Sequence, residues 1–270
     1  MNELLKKLIR KSFNVLGLEV QRKPKVSPTV SRSSMLGSLK QVAENGFNPQ
    51  TIIDVGAANG TPPLYEVFPN ARHILIEPLE EFTPDLKSLV SKLRNAQYFI
   101  AVANKISGET TINVHPDLVG SSLYKEEEDS DVNGVERTVP AITLDEICHA
   151  QKTEAPYLIK IDTQGSELDI LEGATKILQD TETIILEVSL FEFFKGGPQF
   201  FDCIQFMKAR GFVAYDLFSL QYRLLDRALS QVDIMFVQET SELRKYHFYA
   251  TKEQREVQTA NIQEKQQDLN

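Results

Sequence analysis

The chain holds 270 residues, with 38 acidic side chains against 29 basic ones and a net charge of −9, a balance that argues against general affinity for nucleic acid. Hydrophobic and charged fractions of 41% and 25% are ordinary for a globular protein, and the length suits one sizeable core with appendages. No apolar run reaches the ~18 residues of a membrane span, no signal-peptide core opens the chain, and Cys148 and Cys203 stand alone without C-x-x-C spacing, so a reducing, cytoplasmic compartment is expected, with neither a disulfide framework nor a zinc site.

From Met1 to Lys25 the basic residues Lys6, Lys7, Arg10, Lys11, Arg22, Lys23 and Lys25 outnumber Glu3 and Glu19, while Leu4, Leu5, Leu8, Ile9, Phe13 and Leu16 fall at helical spacing. The pattern predicts a basic amphipathic helix, whose apolar face either packs on the domain or lies on an anionic membrane surface as a peripheral contact. Val26 to Ser34 reads as a Pro/Ser linker, which puts an N-terminal helix and linker at 1–40 and the main domain at 41–240. Beyond about Glu239 the chain is polar, and 241–270 is expected to be a frayed helix or a disordered tail.

The run Thr51-Ile52-Ile53-Asp54-Val55-Gly56-Ala57-Ala58-Asn59-Gly60 joins a buried strand, an acid and a glycine turn. Ile52, Ile53 and Val55 suit a core strand of a parallel sheet, and Gly56 and Gly60 let the backbone turn sharply beside a ligand. Thr61 is expected to cap the following helix, with Pro62 at its first position. Amides at that helix start would suit a carboxylate or a phosphate equally. Asp54 decides between them, because two like charges about 4 Å apart cost on the order of 4 kcal/mol at an effective dielectric of ~20, which disfavours a dinucleotide's pyrophosphate. S-adenosylmethionine instead carries an ammonium and a sulfonium. The G-x-x-x-G spacing also differs from the G-x-G-x-x-G dinucleotide fingerprint.

A second strand, Ala71 to Ile76, ends in Glu77-Pro78, one βαβ step after Asp54, and an acid at the tip of strand two grips ribose hydroxyls. Thr110 to Val114 and Val135 to Ile142 are expected to form an extra hairpin. It carries Gly120-Ser121-Ser122-Leu123-Tyr124 and an acidic stretch, an insertion of the kind that covers active sites. Tyr157 to Asp162 is another strand ending in an acid, with Lys160 expected to pair with an acid, followed by a helix from Ser166 to about Leu178. Thr183 to Ser189 is a further strand, Phe200 to Arg210 a helix, and Phe212 to Tyr215 and Val232 to Val237 two last strands. With no room for a crossover helix between these two, Asp216 to Gln231 is expected to be a long antiparallel link. The fold class read here is α/β, a doubly wound Rossmann-like sheet, mostly parallel with an antiparallel last strand.

The elements DVGAANG, IEP, GSSLY, TLDEI, KIDTQGSELDILEGA, ILEVS and QVDIMFV, in this order between Thr51 and Gln238, resemble the FkbM family of S-adenosylmethionine-dependent methyltransferases. The resemblance implies an O-methyltransferase acting on hydroxyls of sugars, polyketides or related metabolites, so a small-molecule or glycan acceptor. At matching positions it implies that Asp54, Gly56 and Gly60, with Ala57 and Asn59 between them, hold the methionine part. Glu77 would then hold the ribose, Val102 would lie near adenine, and Ser121, Ser122 and Tyr124 would face the substrate. The family's G-A-N-x-G is altered here, since Ala58 precedes Asn59, which shifts the side chain that meets the methionine carboxylate.

Methyl transfer to an alcohol needs the acceptor oxygen placed about 3 Å from the methyl carbon and its proton removed by a base or acidified by a metal. Asp162 and Glu187, at the exits of adjacent central strands, are the candidate catalytic acids. His73, His115, His149 and His247 form no cluster, so any metal site would be an all-oxygen Mg²⁺ site from Asp162, Glu187 and Asp145 or Asp233. Two other classes remain open at this stage. One is an NAD(P)-dependent oxidoreductase, and the other is a catalytically inactive cofactor-fold binding module.

Overall fold

The computed structural model describes residues 32–127 and 131–267. The basic amphipathic helix expected over Met1 to Lys25, and most of the linker after it, lie outside these residues. The first described helix, α1 (Met35–Glu44), starts before the expected domain boundary at 41. Ser34 caps it by accepting the Gly37 N–H at 3.3 Å, and it buries Ser38, Leu39 and Val42 against the sheet.

Seven strands form the main sheet: β1 (Thr51–Val55), β2 (Arg72–Glu77), β3 (Ala96–Ile100), β7 (Tyr157–Ile161), β8 (Thr181–Ser189), β9 (Phe212–Tyr222) and β10 (Leu229–Gln238), in the order β3-β2-β1-β7-β8-β10-β9. All neighbours run parallel except β10, which lies antiparallel between β8 and β9. The α/β class with an antiparallel last strand is therefore the observed one. β1 and β7 are buried along their whole length, as a strand covered on both faces must be, and so read as unbroken apolar runs apart from Asp54 and Lys160. Helices α1, α2 (Pro62–Val67) and α3 (Thr83–Lys92) bring Leu39, Leu64 and Leu86 to the apolar cluster that holds Ile52 and Leu158. Leu144 and Ile147 of α4 (Leu144–Gln151), Ile170 of α5 (Glu167–Glu172) and Cys203 of α6 (Phe200–Ala209) join the cluster that holds Ile53, Val55, Ile159 and Ile161.

The expected hairpin is present as β5 (Gly108–Val114) and β6 (Val135–Ile142), joined by the two-residue β4 (Val102–Ala103) in a second sheet ordered β4-β6-β5. Two expectations are corrected. The link Asp216 to Gln231 is a hairpin, because β9 continues to Tyr222 and β10 begins at Leu229. Its turn closes through the Arg223 N–H on the Ala228 carbonyl and through Asp226, which accepts from the Arg223 guanidinium and the Ala228 N–H. Irregular register between the two strands hides how far each extends beyond the expected Phe212 to Tyr215 and Val232 to Val237. The helix expected from Ser166 to Leu178 stops at Glu172, followed by a 3₁₀ turn, Ile177–Asp180. At the break, a side chain on Gly173 would strike the Asn104 carbonyl. The polar tail contains helix α7 (Lys252–Gln267).

Candidate active site

Beyond the carboxyl ends of β1, β2 and β7 lies a cavity, where open α/β sheets place their ligands. Gly56, Ala57, Asn59, Gly60, Glu77, Val102, Ser121, Ser122, Asp162 and Gln164 are among its lining residues. The two turn glycines serve packing first. Gly56 has φ +68°, and a Cβ there would collide with the Asp162 carbonyl. A Cβ on Gly60, at φ +103°, would meet Leu89 and Tyr65. Glycine thus lets the β1 turn close onto β7 and α3.

Asp54 does not line the cavity. It shares a face with Ile52, is 1% exposed, and accepts from the Tyr65 hydroxyl at 2.7 Å and the Thr61 hydroxyl at 3.0 Å. The Thr61 side chain therefore ties the turn to Asp54 instead of capping α2. Burial, with the Asp54 carboxylate beside it, holds the Tyr65 phenol far above its usual range, so it stays a donor. At the helix start expected to await a ligand, Thr61 N–H donates to the Tyr65 hydroxyl oxygen at 2.9 Å, and in the turn before it Ala58 N–H donates to Glu77 Oε2 at 2.9 Å.

Lys160 stands opposite Asp54 in the β1–β7 register. Its ammonium lies 3.6 Å from Asp54 Oδ1, 3.3 Å from Asp162 Oδ2 and 3.4 Å from the Gly56 carbonyl oxygen. Burial alone would lower its pKa. Asp162, Asp54 and Asp233 outweigh that and hold it above the ordinary lysine value. The expected pairing of Lys160 with an acid is a pairing with two.

Glu77, at the tip of β2, is 5% exposed. Burial raises its pKa against the opposing pull of the Leu79 and Ala58 amides and Lys160. Oε1 accepts the Leu79 N–H at 3.0 Å, so each oxygen takes one amide and keeps lone pairs for another donor. Val102, on β4, is a buried apolar wall.

The three residues implied to face substrate separate. Ser121 accepts the His115 N–H at 3.0 Å and lines the cavity. Ser122 also lines it, donating to the Gln164 carbonyl oxygen at 2.6 Å and accepting the Tyr124 N–H at 2.9 Å. Tyr124 is outside the lining, and its hydroxyl donates to Asp169 Oδ2 at 2.7 Å. Burial first, then Asp169, hold that phenol above its usual range.

Asp162 lines the cavity, whereas Glu187 lies outside the lining, beyond Gln164. The Gln164 side-chain amide donates to Asp162 Oδ1 at 3.2 Å and to Glu187 Oε2 at 2.9 Å. Glu187 also accepts from the amides of Gln221 at 2.8 Å and Gln231 at 2.9 Å. Burial, then Asp162, Asp233 and Glu167, push its carboxyl up to about 8, and Asp233 rises to about 6 through burial and Asp162. Among the described residues no three His, Cys, Asp or Glu side chains are grouped to hold a metal ion. Asp145, weighed as a ligand, accepts the Lys176 and Ile177 N–H groups and the Thr175 hydroxyl instead. Gln164, Gln221, Gln231 and Tyr65 were not legible as site residues, because no motif spacing marks an amide or phenol that acts through another residue.

An open α/β sheet with an acid at the tip of β2, an apolar wall and an acid at the exit of β7 defines a nucleoside-type cofactor fold. The methyltransferase FkbM domain matches residues 54–214, more than half of the chain, and the chain belongs to that family. A hexuronic acid methyltransferase, AglP of Haloferax volcanii, is 33% identical over 51 residues, 19% of this chain and 21% of that protein. The chain thus matches about a fifth of the length of that curated relative. Similar solved structures include a precorrin-6y C5,15-methyltransferase from Geobacter metallireducens, with TM-score 0.40, 10% identity, and coverage of 78% of this chain and 93% of that one. Magnesium protoporphyrin IX methyltransferase from Synechocystis has TM-score 0.41, 10% identity, and coverage of 86% and 96%. Fibrillarin pre-rRNA processing protein from Methanococcus jannaschii has TM-score 0.43, 13% identity, and coverage of 71% and 67%. Likeness at this level says nothing of substrate.

Proposed function

We propose that the protein transfers a methyl group from S-adenosylmethionine to a hydroxyl of a sugar, polyketide or related metabolite. The charge of the cavity carries this reading. Glu77 and Asp162 line it, and Lys160, the one cation among the described lining residues, already serves Asp54 and Asp162. A pyrophosphate would meet two acids and no free cation, whereas an ammonium and a sulfonium are attracted. The walls fit as well: Ile76, Val102 and Ala103 offer an apolar surface to a base, and Glu77 keeps lone pairs for ribose hydroxyls. Gly56, Ala57, Asn59 and Gly60 line the side assigned to the methionine part, and Asp54 supports that turn from beneath through Thr61 and Tyr65.

When bound, the cofactor supplies an electrophilic methyl group on a neutral leaving group. The chain's own task is to seat the acceptor oxygen and take its proton. Asp162, in the cavity wall, is the proposed proton acceptor. Glu187, with its carboxyl pushed up to about 8, orients the site from behind Gln164. Ser121 and Ser122 are assigned to the acceptor side, and Tyr124 supports them through Asp169. A small-molecule or glycan acceptor is favoured over nucleic acid, since acids dominate this edge of the sheet and repel phosphates. The short stretch shared with a hexuronic acid methyltransferase supports a sugar. The proposed place of action is the cytoplasm, with the N-terminal basic segment as a peripheral membrane contact.

Calorimetry with S-adenosylmethionine and with NAD is the first test, followed by incubation with methyl-labelled S-adenosylmethionine and a metabolite or glycan extract, with mass spectrometry of labelled products. Tight NAD binding without a response to S-adenosylmethionine would sink the proposal. Cofactor binding with no labelled product from any extract would point to an inactive binding module.

A further inference from the structure

Gln164 has φ +56°, in the left-handed region that residues other than Gly, Asn and Asp rarely occupy. Such a conformation persists only where its surroundings over-determine it. Here the surroundings are three hydrogen bonds in three directions. The Gln164 carbonyl oxygen accepts the Ser122 hydroxyl at 2.6 Å, and its side-chain amide donates one hydrogen to Asp162 at 3.2 Å and the other to Glu187 at 2.9 Å. Ser122 belongs to the Gly120–Tyr124 loop, which reaches the cavity from the β5–β6 insertion, while Asp162 directly follows β7 and Glu187 lies near the end of β8.

We propose that Gln164 is a positioning residue that couples the seating of the Gly120–Tyr124 loop over the cavity to the placement of Asp162 and Glu187. The Ser122 bond fixes the plane of the Gln164–Gly165 peptide, and hence the direction in which the strained backbone projects the amide. That amide has two hydrogens, and both are spent on the two carboxylates. A loop that lifts off the cavity removes the Ser122 bond, releases the left-handed turn and withdraws the bridge. The two acids are then in place only when the wall formed by Ser121 and Ser122 is in place. Glu187 is well suited to feel the change, because its surroundings come from several elements: Asp162 from β7, Glu167 from α5, Asp233 from β10, and the amides of Gln221 and Gln231 from β9 and β10. The inference rests on the acceptor-side reading of Asp162 and Glu187, but the coupling itself can be read without an acceptor.

The test is a double-mutant cycle on the full chain, read by NMR on the side-chain amide groups of Gln221 and Gln231, which hydrogen-bond Glu187. Ser122→Ala is expected to shift both signals in the parent. The same substitution is expected to leave them in place in a Gln164→Gly background, where φ is relaxed and the bridge is gone. Gln164→Asn tolerates the same backbone but is one methylene short, and should behave as Gln164→Gly does. No shift on Ser122→Ala in the parent, or an equal shift in both backgrounds, would overturn the coupling. S-adenosylmethionine is then titrated into the parent while the methyl signals of Ala57 and Val102 are followed. If those do not move, the cofactor reading fails while the cycle still stands or falls by itself.

Discussion

The Lys160 ammonium lies between two carboxylates, 3.6 Å from Asp54 beneath the Gly56–Gly60 turn and 3.3 Å from Asp162 in the cavity wall. The relationship follows from register: Asp54 and Lys160 are cross-strand partners in β1 and β7, and Asp162 follows Lys160 by two residues, so all three lean to one face. A single buried cation thereby joins the turn proposed to hold the cofactor to the acid proposed to serve the acceptor.

Removing that cation should be costly. In Lys160→Met the Asp54 charge stays buried with only the Tyr65 and Thr61 hydroxyls to answer it, and breaking a buried pair from one side costs about 3–5 kcal/mol. Urea denaturation should show the loss. The double variant with Asp54→Asn should lose less than the sum of the two single variants, because the stranded charge is gone. Strict additivity would mean that Lys160 and Asp54 do not act as a pair.

Glu77→Ala should weaken S-adenosylmethionine binding roughly ten- to a hundredfold, the worth of a charged hydrogen bond of about 1.5–3 kcal/mol. Asp54→Ala should also weaken it, but through the turn, so its loss of affinity should come with a loss of thermal stability. Calorimetry beside thermal unfolding separates the two. An unaltered dissociation constant in a folded Glu77→Ala protein would remove Glu77 from the cofactor site.

The central strands were legible because burial on both faces leaves an apolar run, as in Ile52-Ile53 and Leu158-Ile159, and because the acids at their ends interrupt it. The full length of β9 and β10 was not, since the left-handed Ser219 and the uneven register break the two-residue alternation. Nor was the early end of α5, where Gly173 leaves room for the carbonyl of Asn104, a residue far away in sequence. For the site, sequence locates Asp54, Glu77, Asp162 and Glu187 at strand exits but not the face each side chain takes. Facing depends on register, and register put Asp54 under the turn instead of in the cavity. Gln164 was invisible for a further reason: its role depends on a backbone conformation that its residue type does not announce.

The basic segment Met1 to Lys25, outside the described residues, is expected to direct the enzyme to anionic membrane without contributing to cofactor binding. Each basic residue near such a surface adds about 1 kcal/mol, and salt screens it within a Debye length of about 8 Å at physiological ionic strength. Full-length protein should co-sediment with anionic vesicles at low salt and less at high salt, and a deletion of 1–25 should not, while still binding S-adenosylmethionine. A full-length protein indifferent to vesicles, together with a deletion that unfolds, would make the segment a structural cap.

Stability should depend on pH through Glu187. Its folded pKa of about 8 lies above the ordinary glutamate value, so between these two the folded state binds more protons than the unfolded state, and stability falls as pH rises. The contribution is fully present below the ordinary value and lost as pH passes through about 8. Asp233, raised to about 6, adds in the same sense at lower pH, and the neighbouring acids titrate as a group. Glu187→Gln keeps the shape and removes the proton, so its stability should decline less between pH 5 and pH 9, roughly the window these values define. Denaturation midpoints across that range check the sign. A variant that loses stability with pH as steeply as the parent would assign the effect to other acids.

Asp162→Asn tests the chemistry most directly. The substitution keeps the side-chain volume and the bond to Gln164 through its carbonyl oxygen, while removing the charge that takes the acceptor's proton. If Asp162 is the base, methyl transfer to whichever acceptor the labelling experiment identifies should fall by about 10² to 10⁴. S-adenosylmethionine affinity should fall far less than turnover, because Glu77 and the turn from Gly56 to Gly60 are untouched and only one of the two acids that attract its cations is neutralised. The loss should also ease as pH rises, since an alcohol that ionises by itself needs no base. Full turnover at neutral pH would pass the role to Glu187, and the test would then be repeated in Glu187→Gln, where the proton carried at about 8 is gone and the rate should lose its rise through that pH.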